Sequence, residues 1–203
     1  VSAALPDPTA SARRSHIERT TRETRISLDL DLDGGPISIS SDVAFLNHML
    51  EAFATHAGCG LRITATGDGM DHHHLVEDIG ICLGRAIAEA LGDKSSIVRF
   101  GSIMLPLDEA LIAASVDLSG RSYLHFAVEF PIERLGDLAT ELILEFFRAV
   151  TDHGRFNLHL IPMHGRNAHH LCEAIFKAFA RAFAQAKQRT GSNVVPSTKG
   201  LLE

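Results

Sequence analysis

The chain has 203 residues, of which 45% are hydrophobic and 22% charged, an ordinary balance for a folded globular protein. A net charge of -6 at pH 7 and the lack of any long Lys/Arg run argue against nucleic acid or an anionic membrane as its main partner. Trp is absent and Tyr occurs once, which leaves no aromatic platform for sugars or unpaired bases, whereas the 12 histidines are clustered and point to metal.

In chain order, the opening VSAALPDPTASARR lacks the apolar run of a signal peptide and reads as a flexible arm over 1–14. TRISLDLDLD (24–33) alternates apolar and polar residues before GGP breaks it, so a strand and turn are predicted. VAFLNHMLEAFATHAG (43–58) has helical apolar spacing and a Gly stop, LRITATGDG is a short strand and turn, and HHLVEDIGICLGRAIAEALGD (73–93) is a second helix. The order then recurs. LIAASVDLSG (111–120) and SYLHFAVEF (122–130) read as strands, DLATELILEFFRAVTDHG (137–154) as a helix, FNLHLIP (156–162) as a strand and AHHLCEAIFKAFARAFAQAKQ (168–188) as a long helix. The predicted fold class is α+β, with internally duplicated strand/helix units at 15–100 and 101–190 packed as a sandwich of sheets and helices, then a C-terminal loop and tail over 191–203. Cys59, Cys82 and Cys172 are far apart and without CxxC spacing, and no apolar run approaches a membrane span, so a soluble cytoplasmic protein is expected.

The opening turns of the last helix in each half carry the same motif: His73-His74-Leu75-Val76-Glu77 and His169-His170-Leu171-Cys172-Glu173. Positions i and i+4 of a helix lie about 40° apart around the axis, so His73 and Glu77 can chelate one ion, and His169 and Glu173 another. Neighbouring residues are about 100° apart, which aims His74 and His170 elsewhere. An earlier helix in each half adds a candidate: His48 lies 25 residues before His73, and Glu145 lies 24 before His169. A single HHxxE is as readily a solvated helix start, but two in register, each with a partner at matching distance, are hard to obtain by accident. Pseudo-symmetry assigns one metal to His73, Glu77, Glu145 and His170, and the other to His169, Glu173, His48 and His74. Each site then needs both halves, from one chain or from neighbouring subunits. Imidazole with carboxylate suits manganese, iron or zinc, and the lack of thiolate weakens a structural zinc reading. Asp78 is expected to face away from the chelate as a supporting or surface charge, His72 to be a capping residue, and Cys172 to face the core. His56, His125, His153, His159 and His164 lack any such partner logic and read as surface or packing residues.

Cationic groups form a second set. Arg99 sits near a strand start, Arg121 follows a Gly turn, and PSTKG (196–200) offers Ser197, Thr198 and Lys199 on a terminal loop. Such a loop, supported by arginines, can hold a phosphate dianion, although alone it is most often a polar tail. Lys177, one turn beyond Glu173, faces the same way as the chelate.

These residues resemble the imidazoleglycerol-phosphate dehydratases of histidine biosynthesis, through RTTRETRI, FLNHML, DHHHLVEDIGICLG, RFGSIMLPLDEAL, DLSGR, NAHHLCEAIFKAFARA and PSTKGLL, from Arg19 to Leu201. The resemblance implies a duplicated α+β fold, two Mn2+ ions per active site, and a homo-oligomer in which trimers build a 24-subunit shell with active sites between subunits. It places metal ligands on His48, His73, His74, Glu77, His169, His170 and Glu173. The eighth ligand of that family is a His, and Glu145 stands there; His72 replaces an Asp, and the turn before it is one residue shorter. Substrate contacts fall on Glu23, Arg99, Arg121, Lys177, Ser197, Thr198 and Lys199, with Glu23 as general acid/base. The implied reaction turns imidazole glycerol phosphate into imidazole acetol phosphate. A metal-bound imidazolate expels the adjacent hydroxyl to give a diazafulvene-like intermediate, and loss of the next proton gives an enol that becomes the ketone. The alternatives are a two-metal phosphate-ester hydrolase and a non-catalytic metal-binding relative.

Overall fold

The structure, a computed structural model, describes residues 12–192 and 194–202. The first repeat runs β1 (Arg14–Thr20), β2 (Arg25–Asp31), β3 (Ile37–Ser40), α1 (Ala44–Ala57), β4 (Gly60–Thr66) and α2 (His73–Leu91). The second runs β5 (Phe100–Leu107), β6 (Ala110–Asp117), β7 (Tyr123–Phe126), the short pair β8 (Arg134–Leu135) and β9 (Leu138–Ala139), α3 (Glu141–Gly154), β10 (Asn157–His164) and α4 (Ala168–Ala186). The two main sheets have the orders β1-β2-β4-β3 and β5-β6-β10-β7. In each, the last pair is parallel and the others are antiparallel. The α+β class and the duplication predicted from sequence hold, the two main sheets having equivalent strand orders.

Alternation makes the central strands. Ile26, Leu28 and Leu30 of β2, and Ile112, Ala114 and Val116 of β6, turn one face inward and are almost fully buried. The edge strands β1 and β5 alternate too, but their inward faces are mostly only half-buried. β1 buries only Ile17, and the inward contact of β5 is Gly101, whose missing side chain lets the backbone of α4 approach at Ala182. β1 and β3 were absent from the predicted elements, and β5 was expected only as a strand starting near Arg99.

The helices join the sheets. α2 packs on β1 and β2, α4 packs on β5 and β6, and the repeats then cross over, α1 against α4 and α2 against α3. At the second crossing the contact is glycine. A Cβ on Gly80 would stand 2.8 Å from the Phe146 carbonyl oxygen, and one on Gly84 would stand 2.6 Å from that of Val150. Gly80 meets Phe146 and Ala149 while Gly84 meets Val150, His153 and Gly154, so α2 and α3 run in the same direction. At the first crossing the contact is aromatic: Phe53 of α1 stacks on Phe179 of α4 with ring centroids 5.0 Å apart. Phe146, Phe147, Phe156, Phe176 and Phe183 complete one continuous core, each burial contributing about 1.5–3 kcal/mol.

Three predicted boundaries shift. The helix expected from 137 begins at Glu141, because Gly136 (φ 59) turns the chain through the β8–β9 hairpin and the Asp137 carboxylate is spent elsewhere. It accepts the backbone N–H groups of Ala44 (2.5 Å) and Phe45 (3.0 Å), capping α1 of the other repeat. The strand expected over 122–130 ends at Phe126, where its ladder with β10 stops. Of the arm expected over 1–14, residues 1–11 lie outside the described residues, whereas Arg13 bonds the Asp33 carboxylate and Arg14 opens β1. Among the described residues no helix is long and apolar enough to cross a membrane.

Candidate active site

The start of α2 is held by Asp71, which accepts the His73 N–H at 2.8 Å, and the start of α4 by Asn167, which accepts those of His169 and His170 at 2.9 and 3.3 Å. Each cap fixes the turn that carries the motif. On α2, His73 Nε2 lies 4.0 Å from Glu77 Oε2; on α4, His169 Nε2 lies 3.1 Å from Glu173 Oε2. All four side chains remain partly exposed. The second histidine of each motif turns away, its ring at 82° to that of His73 in the first and 86° to that of His169 in the second.

The helix crossings bring the third candidates near. His48 on α1 lies close enough to Glu173 to act on its charge. Burial pushes the Glu173 carboxyl up, but the Lys177 ammonium, His169 and His48 outweigh this and hold it below its ordinary value. Lys177 faces the chelate as expected, with Nζ 2.6 Å from Glu173 Oε1. Glu145 rides on α3, packed beside the α2 that bears His73 and Glu77, and is gripped by Arg148 at 2.7 and 2.8 Å. His48 of the first repeat thus acts on Glu173 of the second, and Glu145 lies on a helix packed against the one that bears His73 and Glu77. Among the described residues no group of three or more ligands closes around one point. The donor chemistry nonetheless fits a divalent ion: an exposed imidazole nitrogen and a carboxylate one helical turn apart, twice, with no thiolate.

His74 and His170 meet carboxylates of their own repeats. His74 Nδ1 is buried, without a hydrogen bond, and stands 3.6 Å from Glu23 Oε2. His170 Nδ1 is bonded to Glu109 Oε2 at 2.7 Å. Glu109 also accepts the N–H groups of Asn167 (2.7 Å) and Arg166 (3.1 Å), and these donors hold its carboxyl down at about 2, the Asn167 N–H contributing most. Glu109 was missed in the sequence as a site residue, although it falls within the block RFGSIMLPLDEAL.

The phosphate set gathers at the C-terminal loop. A cavity of about 740 Å³ is lined by Arg99, Ser119, Arg121, Ser197, Thr198 and Lys199 among others. The Arg99 guanidinium pairs with Asp117 at 2.7 and 3.2 Å and donates to the Pro196 carbonyl at 2.8 Å, so it ties the loop to the sheet. Arg121 and Lys199 form no ion pair among the described residues, which leaves their charges for an anion. Within one chain Lys177 and Glu23 do not line this cavity.

Other sequence expectations also resolve. Cys172 is buried in the core, and burial pushes its thiol and those of Cys59 and Cys82 up, the last two to about 11. Asp78 is no surface charge: it is buried, pairs with Arg19 at 2.8 Å and accepts from Thr24 Oγ1 at 2.5 Å, thereby anchoring the turn that bears Glu23 to α2. His72 occupies the N-cap position of α2 but caps nothing with its side chain.

Fold and site together define a duplicated α+β protein with imidazole–carboxylate pairs at equivalent helix starts and a cation-lined cavity at a terminal loop. The model of the imidazoleglycerol-phosphate dehydratase family matches residues 41–183. The imidazoleglycerol-phosphate dehydratase of Acidiphilium cryptum is 51% identical over 94% of this chain and its own full length, and that of Microcystis aeruginosa 45% over 98% of this chain and 97% of its own. The crystal structure of the Staphylococcus aureus dehydratase superposes with a TM-score of 0.81 at 42% identity, covering 87% of this chain and 99% of that one. That of the Pyrococcus furiosus protein in complex with (S)-C348 gives 0.81 at 39%, covering 92% and 100%. The chain belongs to the imidazoleglycerol-phosphate dehydratase family. It is therefore a hydro-lyase, of the family that acts in histidine biosynthesis.

Proposed function

We propose that this protein dehydrates imidazole glycerol phosphate to imidazole acetol phosphate with the help of two divalent ions, Mn2+ by preference, per active site. The observation that carries the metal reading is the pair of equivalent chelates, His73–Glu77 and His169–Glu173, exposed at the capped starts of α2 and α4. His48 and Glu145 would add to the chelate beside each. His170 and His74, turned away from their own chelates, would reach the sites of neighbouring subunits. That division supports active sites shared between subunits and, with the family resemblance, a closed shell built from trimers in the cytoplasm.

Bound there, the ions would draw charge from the substrate's imidazole ring and ease its deprotonation. The residues of the chain supply the rest. Arg121, Lys199, Ser197 and Thr198 hold the phosphate remote from the reacting carbons, while Arg99 fixes the loop that presents them. Lys177 offsets the Glu173 charge. Glu23, which receives no hydrogen-bond donor on its carboxylate among the described residues, removes the proton from the carbon that becomes the ketone, and the hydroxyl on the carbon next to the ring leaves as water. The enol so formed takes up a proton to become the ketone, and one molecule of water is lost in all.

The test is to supply the intact manganese-loaded oligomer with imidazole glycerol phosphate and follow ketone and inorganic phosphate together. Ketone without phosphate release is expected. Phosphate release would instead favour the hydrolase, and manganese uptake with neither product a non-catalytic relative.

A further inference from the structure

The two repeats place a glutamate at the same point of their folds. Glu23 lies in the turn between β1 and β2, and Glu109 in the turn between β5 and β6. Each faces Nδ1 of the second histidine in its own repeat's motif, at 3.6 Å for His74 and 2.7 Å for His170. Their surroundings differ sharply. Both carboxylate oxygens of Glu109 are engaged, Oε2 by His170 and Oε1 by the backbone N–H groups of Arg166 and Asn167. Its turn is tied down further, since its carbonyl lies 2.7 Å from His164 Nδ1 on β10. Among the described residues Glu23 has no such attachment: its side chain is 52% exposed, and its own N–H bonds to Thr21 Oγ1.

We propose that Glu109 is the positioning residue of His170, and that duplication has divided one ancestral carboxylate into a fixed copy, Glu109, and a free copy, Glu23. A carboxylate so anchored accepts the imidazole proton at Nδ1 and cannot swing to a substrate. It fixes the ring plane and the tautomer, and so presents Nε2 as the ligating atom. Beside Nε2 stands the largely exposed Asp108, 3.5 Å away. The inference rests on the metal dependence proposed above.

The informative variant is Glu109→Gln. An amide can point its oxygen at His170 or at the two backbone N–H groups but not at both, so either orientation sets donor against donor. Manganese affinity of the stripped, assembled protein is measured by calorimetry alongside turnover at increasing manganese, for Glu109→Gln, Glu109→Ala and Glu23→Gln. Glu109→Gln is expected to assemble normally yet bind manganese 10- to 100-fold more weakly. Its turnover is expected to climb as manganese is raised. Glu23→Gln is expected to bind manganese as the parent does and to lose about 10²- to 10⁴-fold in turnover at every metal concentration. Parent-like affinity in an assembled Glu109→Gln, or a turnover defect that manganese does not relieve, would overturn the positioning role. Should Glu109→Ala fail to assemble, Glu109→Gln still decides the matter. A parent protein that binds no manganese would instead remove the metal reading itself, a result distinct from either outcome for Glu109.

Discussion

Replacing Gly84 by alanine sets two physical effects of opposite sign against each other. Alanine is the better helix former by about 1 kcal/mol, so propensity alone makes the variant more stable. The position faces α3, however, where a Cβ would stand 2.6 Å from the Val150 carbonyl oxygen, 2.8 Å from the Gly154 nitrogen and 3.0 Å from His153 Cβ. Ordinary contact begins at 3.4 Å, so the helices must part by about 0.8 Å at the tightest point. Two of the three atoms are backbone and cannot rotate aside. Overpacking of this kind costs about 1–3 kcal/mol, and three close contacts put it near the upper end, for a net loss of about 2 kcal/mol. The same movement displaces α2, which bears the proposed His73–Glu77 chelate, from α3, which bears Glu145, so manganese affinity should fall as well. Urea unfolding followed by circular dichroism, with a manganese titration of the folded variant, reads both. A gain of about 1 kcal/mol with unchanged metal binding would refute the close-packed α2–α3 crossing.

Further outcomes are expected elsewhere. Asp137→Ala should cost about 0.5–2 kcal/mol by uncapping α1, read from the urea midpoint. Burial pushes the Asp137 carboxyl up, but the N–H groups of Phe45 and Ala44 more than offset this and leave it below its ordinary value. Its contribution is therefore present above the unfolded carboxyl pKa and lost as pH falls through the lower folded one, so the parent and Asp137→Ala should converge in stability on acidification. Arg121→Ala should raise KM by roughly 10- to 150-fold with far less effect on kcat, as removal of a charge-assisted bond worth about 1.5–3 kcal/mol to a remote phosphate requires. Glu145→His exchanges a hard oxygen for an imidazole nitrogen, so competitive titration should show the metal preference moving from manganese towards zinc.

Legibility in the sequence followed the range of the interaction. The two chelates were visible because i to i+4 spacing is local, and the duplication because β2, β6 and the long helices carry strong apolar periods. β1 was not, since Ile17 is its one strongly apolar residue, and β5 showed only as a strand start near Arg99, because its sequence FGSIMLPL hides the alternation of its burial. Nor could periodicity show that Asp137 caps a helix 92 and 93 residues earlier, or that Glu109 pins His170 across 61 residues. Such contacts depend on how hairpin turns and helix starts meet in the folded chain. Of the two expectations for Asp78, supporting or surface charge, only the fold could decide for the first: its partner Thr24 comes from a turn 54 residues away. The pairing of α1 with α4 and α2 with α3 explains why the expected ligand sets drew on both repeats, although one chain does not close either set.

Metal dependence is tested most directly by adding manganese stepwise to the chelator-stripped protein, with bound ion followed by electron paramagnetic resonance and ketone formation assayed at each step. Turnover absent at the start, rising with occupancy and levelling off at about two ions per chain, is expected from paired chelates that act together. Full turnover in the stripped protein, or a rate indifferent to bound manganese, would contradict it.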